Sequence, residues 1–278
     1  MSSYIIVTTF NKHGYDQYAK VMLQSFIENW PKEQRIVVYT EDVTIDPEIA
    51  RNPRIIIKDI GNVRDLTLFK KRHKDSPKAH GFWPQGARAK QFQFDAVRFS
   101  HKVFALYDCW TTNPVEYKSM TWLDADTITF RAIPNNFLER MAPRIYHTRD
   151  GAKERYGICY LGRSKQHSEC GFVSYNKMHP MMHSFWDNFI DLYRNDSLFD
   201  LKEWHDSYLF DHVRIQFERR GLVNLNLTPK FVQGHPFINC RLGEYMDHMK
   251  GNRKKQGRSR KTERVVRATD LPEADWWK

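Results

Sequence analysis

The sequence predicts an α/β domain built on a mostly parallel sheet. Three segments carry that expectation. Residues 4–10, YIIVTTF, read as a buried strand. Residues 16–30 place Tyr18, Met22, Phe26 and Trp30 four apart, which gives a helix with one apolar face, and Pro31 helps to end it. Residues 35–40, RIVVYT, read as a second strand. Strand, helix and strand of these lengths form a βαβ unit, and its crossover makes the two strands parallel.

The later elements follow the same logic. Ile55, Ile56 and Ile57 form a third strand. Residues 59–86, basic and punctuated by Pro77, Gly81 and Pro84, read as an irregular excursion over the sheet edge. A long helix is expected over 87–108, with Phe92, Ala96, Phe99, Val103 and Leu106 on one stripe and Arg88, Gln91, Asp95, Arg98 and Lys102 on the other. Strands are expected at 119–123, 127–130, 170–175 and 222–227, and helices at 179–193 and 205–219. After Lys250 the chain loses all periodicity and reads as a loop or tail. Trp276 and Trp277 are unusual in a tail, so one ring is expected to pack on the body or on a partner. There is no internal repeat, which leaves one α/β domain at 1–248 and a basic segment at 249–278.

Composition narrows the function classes. With 41% hydrophobic and 14% aromatic residues among 278, the chain can bury a substantial core, which excludes disorder throughout. The formal charge is +11, but seven basic residues and no acidic one fall between Lys250 and Lys261; without them the excess is only +4. A cluster this dense is either a solvated tail or a site for a polyanion, the phosphates of a small ligand or of nucleic acid. Cys109, Cys159, Cys170 and Cys240 form no C-x-x-C pair, so buried thiols in a reducing compartment are expected rather than a disulfide scaffold. The N-terminal sequence shows no secretory leader, and no run approaches the ~20 apolar residues of a membrane helix. A soluble cytoplasmic protein is expected, in the host cytoplasm if it is viral.

The strongest chemical signal is WLDADT, residues 122–127. Two carboxylates separated by one small residue follow a hydrophobic strand, and strand ends are where open α/β sheets place ligands. In an extended chain Asp124 and Asp126 point to one side, where they repel unless a cation lies between them. A hard divalent ion with oxygen ligands suits that position and could clamp a diphosphate. A solvated turn is the bland alternative. The second signal is HMKGNRK, with His248, Gly251 and Lys254 spaced three apart. Histidine joins carboxylates at Mn²⁺-like ions, glycine lets the backbone approach phosphate, and lysine supplies a mobile positive charge.

These residues resemble the nucleotide-sugar glycosyltransferases of the GT-A (Rossmann-like) fold, nearest to the glycogenin-like and galactosyltransferase-like group called family 8. The resemblance covers roughly residues 4–255. It implies that Asp124 and Asp126 form the D-x-D motif that holds Mn²⁺ (or Mg²⁺) on a donor diphosphate. It further implies that His248 adds a metal ligand, while Gly251 and Lys254 contact phosphate. The family motif usually continues with Pro-Trp, where this chain has Lys255-Gln256. Thr8, Thr9 and Tyr15 match the first strand and helix, near the nucleotide. Arg98 and Lys102 match basic positions on the helix before D-x-D, although a solvated helix face explains them equally. Asp206 and Glu169 lie in regions whose carboxylates bind the transferred sugar or sit beneath its anomeric carbon; helix capping explains Asp206 as well. His235 is either a site residue or a loop histidine. The second half is expected to supply an acceptor-side lobe.

The implied activity is transfer of a sugar, hexosyl or pentosyl, from a UDP-sugar, with retention, to a hydroxyl acceptor. Three acceptor classes stay open: 5-hydroxymethylated pyrimidine in duplex DNA, as in bacteriophage enzymes; a glycan or lipopolysaccharide; and a protein. A nucleic-acid-binding protein without catalysis, and a nucleotide-sugar hydrolase, are the alternatives of other classes.

Overall fold

The computed structural model describes residues 3–112, 116–148, 150–228, 234–251 and 253–265. The chain opens with β1 (Tyr4–Asn11), then α1 (Lys12–Gly14), a π-helical turn at Tyr15–Ala19, and α2 (Lys20–Asn29). There follow β2 (Arg35–Glu41), α3 (Pro47–Ala50), β3 (Ile55–Asp59), α4 (Arg64–Arg72) and α5 (Ala96–Thr112). Next come β4 (Ser119–Leu123), β5 (Thr127–Thr129), α6 (Phe137–Met141), and the short strands β6 (Ile145–His147) and β7 (Lys153–Arg155). The C-terminal part contains β8 (Ile158–Arg163), β9 (Gln166–Asn176), α7 (Met182–Arg194), α8 (Asp206–Arg219), β10 (Leu225–Asn226), β11 (Met246–His248) and α9 (Arg253–Gln256).

Seven strands form one sheet in the order β10-β8-β9-β4-β1-β2-β3. β4, β1, β2 and β3 run parallel, and β9 is antiparallel to both β4 and β8. The mostly parallel α/β sheet is therefore observed. The second half joins the same sheet rather than forming a separate body. Period-two alternation divides its side chains between two cores. Ile5, Val7, Val37 and Tyr39 face one core with α4, α5, α7 and α8, while Ile6, Ile36 and Val38 face the other with α2 and α6.

Two sequence expectations need correction. The 59–86 excursion is not irregular throughout, because α4 buries Leu66 and Phe69 in the core. Lys78 then lies over the rings of Trp83, Phe199 and Trp204, 4.7, 5.2 and 5.0 Å from their centroids, and ties the rest down. The expected helix at 87–108 starts only at Ala96, and Phe92 is 62% exposed rather than part of its apolar stripe. Its periodicity reflects a 3₁₀ turn at Phe92–Phe94 followed by the true helix. No helix among the described residues is long and apolar enough to cross a membrane.

Candidate active site

β4 ends at Leu123, and the chain then turns instead of staying extended: the Thr127 amide donates to the Asp124 carbonyl at 3.1 Å. β5 leaves the main sheet and pairs with β11, matching Thr127 with His248. The Met249 amide donates to the Asp126 carbonyl at 2.9 Å. This short ladder carries His248 to the two carboxylates across more than a hundred residues of chain. Asp124 and Asp126 thus converge through a turn and a ribbon, not through strand alternation.

The resulting contacts are tight. His248 Nε2 lies 3.2 Å from Asp124 Oδ2 and 3.1 Å from Asp126 Oδ1. Ligand atoms of all three residues fall within 4.8 Å of one another. Lys254 Nζ is 3.0 Å from Asp126 Oδ2 and sits over the Tyr18 ring, 4.3 Å from its centroid. On the other flank Lys102 Nζ reaches Asp124 Oδ1 at 3.4 Å, Asp206 Oδ2 at 2.8 Å and the Cys170 carbonyl at 2.5 Å. Trp122 Nε1 donates to Asp124 Oδ1 at 2.5 Å.

Behind His248 stands a buried polar relay. Its Nδ1 donates to Glu169 Oε1 at 2.7 Å. The other Glu169 oxygen meets Arg163 Nη2 at 2.9 Å and His235 Nδ1 at 3.4 Å, and His235 Nε2 donates to the His248 carbonyl at 3.0 Å. Glu169 is 1% exposed, so it faces the imidazole and not solvent. A carboxylate on the far nitrogen of a metal-ligating histidine fixes its orientation and basicity.

The charges couple accordingly. Burial opposes protonation of His248, yet the Asp126 charge and hydrogen bonds to Asp124, Asp126 and Glu169 raise its pKa well above the ordinary imidazole value. Burial would push Asp126 up, but His248 and Lys254 hold it well below the usual carboxylate range. Glu169 is likewise held low against burial, by hydrogen bonds to His235 and His248. Burial disfavours the Lys102 ammonium, but Asp124 and Asp206 raise its pKa. Two carboxylates and one imidazole, clustered at a strand end and oriented from behind, fit a divalent metal ion.

Gly251 has φ +62°, the left-handed region, and starts the turn that brings Lys254 back to Asp126. Arg98 is exposed on α5, one turn before Lys102. Thr8 is fully buried, and Thr9 Oγ1 donates to the Tyr39 carbonyl at 2.9 Å. Tyr15 is buried against Phe10, its hydroxyl accepting from the Asp46 amide at 3.0 Å. Its π-turn neighbour Tyr18 is the tyrosine that reaches the centre, a residue read from sequence only as part of an apolar face. Gly171 was also missed: a Cβ there would come within 2.7 Å of the His248 ring. A lone glycine within the strand CGFVSY was the available signal for such a close approach.

The basic segment is not a free tail over its described part. Asp247 accepts from the Ser259 amide at 2.8 Å and from Ser259 Oγ at 2.6 Å. Asn239 Nδ2 donates to the Glu263 carbonyl at 2.8 Å, and Arg253 pairs with Glu263. Residues 253–265 therefore form a strap returning over the body. Trp276 and Trp277 lie outside the described residues. Two of the basic residues in this segment are paired internally, Lys254 with Asp126 and Arg253 with Glu263, while Lys250, Arg258, Arg260 and Lys261 are exposed; in the earlier basic stretch Lys70 pairs with Glu41 and Arg72 with Asp196.

No family model matches the chain, and no curated protein does. Among solved structures, the chain is similar to mouse xyloside xylosyltransferase 1 in its apo form. The identity is 13%, over 80% of this chain and 84% of that one, with a TM-score of 0.47. It is similar to the PaToxG glycosyltransferase at 11% identity, over 78% and 70% of the two chains, with a TM-score of 0.41. It is also similar to the apo-form glycosyltransferase GlyE of Streptococcus pneumoniae TIGR4 at 11% identity, over 81% and 46%, with a TM-score of 0.42.

Proposed function

We propose that the chain is a metal-dependent glycosyltransferase of GT-A type that uses a nucleotide-diphosphate sugar, a UDP-sugar in the first instance. The observation that carries this reading is the meeting of Asp124, Asp126, His248 and Lys254 at the end of β4. In this reading Asp124, Asp126 and His248 hold Mn²⁺ or Mg²⁺. The ion, when bound, offsets the negative charge that builds on the departing diphosphate. Lys254 exchanges its contact with Asp126 for a phosphate oxygen, and Gly251 gives the backbone room to follow. The stretch from 249 onward is then the element that closes on the donor. Tyr18 lines the nucleotide side with Tyr15 supporting it from behind, Thr8 and Thr9 shape the end of β1 beneath it, and Arg98 is poised to meet the donor from α5.

Glu169 acts in this account as a positioning residue that orients His248, and Asp206 faces the transferred sugar. Both carboxylates are engaged, Glu169 by Arg163, His235 and His248, and Asp206 by Lys102. That favours a retaining course in which a diphosphate oxygen takes the acceptor's proton. The bond from the anomeric carbon to the diphosphate breaks, and the bond to the acceptor oxygen forms on the same face. We favour a glycan or protein hydroxyl over duplex DNA as acceptor, because Arg253 and Lys254, the basic residues of the segment that lie at the centre, already pair with Glu263 and Asp126.

The test is a Mn²⁺-supported turnover screen of UDP-sugars, run with glycans, proteins and DNA carrying 5-hydroxymethylated pyrimidines. Turnover should require the ion and fall by about 10²-fold or more in Asp126→Asn. Full turnover in that variant removes the metal assignment, and stimulation by the modified DNA alone reverses the acceptor preference.

A further inference from the structure

A second group of metal-ligating side chains stands at the turn between β8 and β9, apart from the centre described above. His167, Glu203 and His205 offer ligand atoms that all lie within 4.8 Å of one another. His205 Nε2 is 2.7 Å from Glu203 Oε2, and His167 Nε2 is 3.8 Å from the same oxygen. The other His167 nitrogen, Nδ1, faces Asp211 Oδ2 at 3.9 Å. Asp211 is itself fixed, accepting from the Ser168 amide at 2.8 Å, Ser168 Oγ at 2.7 Å and Arg214 Nε at 3.0 Å. The rings of Phe92 and Phe99 cover His205, at centroid distances of 5.6 and 6.0 Å.

We propose that His167, Glu203 and His205 form a zinc site with its fourth position open to solvent. The donor set favours zinc over the harder ions. Two imidazoles and one carboxylate are softer than the two carboxylates and one imidazole at Asp124, and they match zinc. Ligand bonds of about 2.0–2.2 Å imply ligand–ligand separations of about 3.3–3.6 Å in a tetrahedron, so the His205–Glu203 pair at 2.7 Å has to open slightly while His167, 3.8 Å from the Glu203 oxygen, moves inward. His167, 42% exposed in its side chain, has the freedom to rotate inward, while His205 at 9% is already held. Asp211 stands where an outer carboxylate orients a ligating imidazole.

Such an ion would bind two distant stretches together, the β8–β9 turn and the residues that lead into α8. Asp206 follows His205 directly and holds Lys102, which in turn contacts Asp124. Zinc at this place would steady that chain of contacts without touching the first centre.

The test is competition of the full chain against a chromophoric chelator for Zn²⁺ and Co²⁺, in the Asp126→Asn background that disables the first centre. One zinc equivalent should remain, and Co²⁺ should show tetrahedral ligand-field absorption. Adding His167→Ala or Glu203→Gln should weaken that zinc by about tenfold or more. Both positions are part-exposed, so neither change removes core packing. Absence of zinc binding in Asp126→Asn, or binding of unchanged affinity in both double variants, overturns the proposal. No readout depends on turnover, so failure of the glycosyltransferase reading leaves this test standing.

Discussion

The parallel half of the sheet and the strap over residues 253–265 both reach Asp124 and Asp126, but they are held by different forces. β1, β2 and β4 with α2 and α5 are held by apolar side chains on both faces, among them Ile6, Val38, Phe26 and Phe104, each at or near zero exposure. The strap is held by a few polar contacts, chiefly Asp247 with Ser259, Asn239 with Glu263 and Arg253 with Glu263. Apolar burial adds over a wide area and tolerates the loss of one contact geometry. A polar latch depends on individual atoms, and losing one partner leaves the other buried and unsatisfied. Changes in the sheet should therefore be read out mainly as stability, and changes in the strap mainly as ligand binding.

The largest expected effect tests the first half of that statement. Phe26→Ala empties a fully buried position against Trp30, and should cost about 3–5 kcal/mol in urea unfolding, with donor affinity unchanged in the folded fraction. Gly171→Ala lies where the halves meet. Its new methyl group collides with the His248 ring, so about 1–3 kcal/mol of stability should go together with about tenfold or more of Mn²⁺ affinity. A loss of stability alone would place His248 outside the metal centre. Asp247→Asn should cost about 1–2 kcal/mol and raise hydrogen exchange over residues 253–265 while leaving β1 and β2 protected. Uniform exchange across both regions would erase the distinction between them.

The smallest effect concerns a polar contact within the apolar half. Glu41, at the end of β2, is drawn down to about 2 by hydrogen bonding to His101, against burial, with Lys70 assisting. A depressed carboxylate contributes stability above its unfolded value near 4.5 and loses it as pH falls towards 2. The difference in stability between the parent chain and Glu41→Gln should be roughly 1 kcal/mol at neutral pH and vanish across that acidic window. A difference independent of pH would assign the effect to packing.

The same contrast explains what the sequence disclosed. β1, α2 and β2 announce themselves because their partners are close in sequence and their apolar periods are unbroken. Asp124 and Asp126 were legible because they follow a hydrophobic strand, and His248 because glycine and lysine follow it at regular spacing. β11 is three residues long and pairs with β5 through the Thr127–His248 match, which no local pattern encodes. For that reason the route by which His248 reaches the carboxylates could not be read. Glu169 was picked out as an acid near the reacting centre, but its burial and its bonds to His248, His235 and Arg163 arise from distant segments. Tyr18 was obscured by the π turn at Tyr15–Ala19, which alters the face each residue presents. The strap lacks any apolar period, so charge and glycine alone made it read as a tail.

The central claim is that Asp124, Asp126 and His248 hold a divalent ion that binds a nucleotide diphosphate. Calorimetric titration of UDP into the full chain, with and without Mn²⁺, tests it most directly when repeated on Asp126→Asn. The account predicts that the parent chain binds UDP with Mn²⁺ present, and that affinity falls by tenfold or more, about 1.4 kcal/mol at least, when either the ion or the carboxylate is removed. Equal UDP affinity under all of those conditions would contradict it.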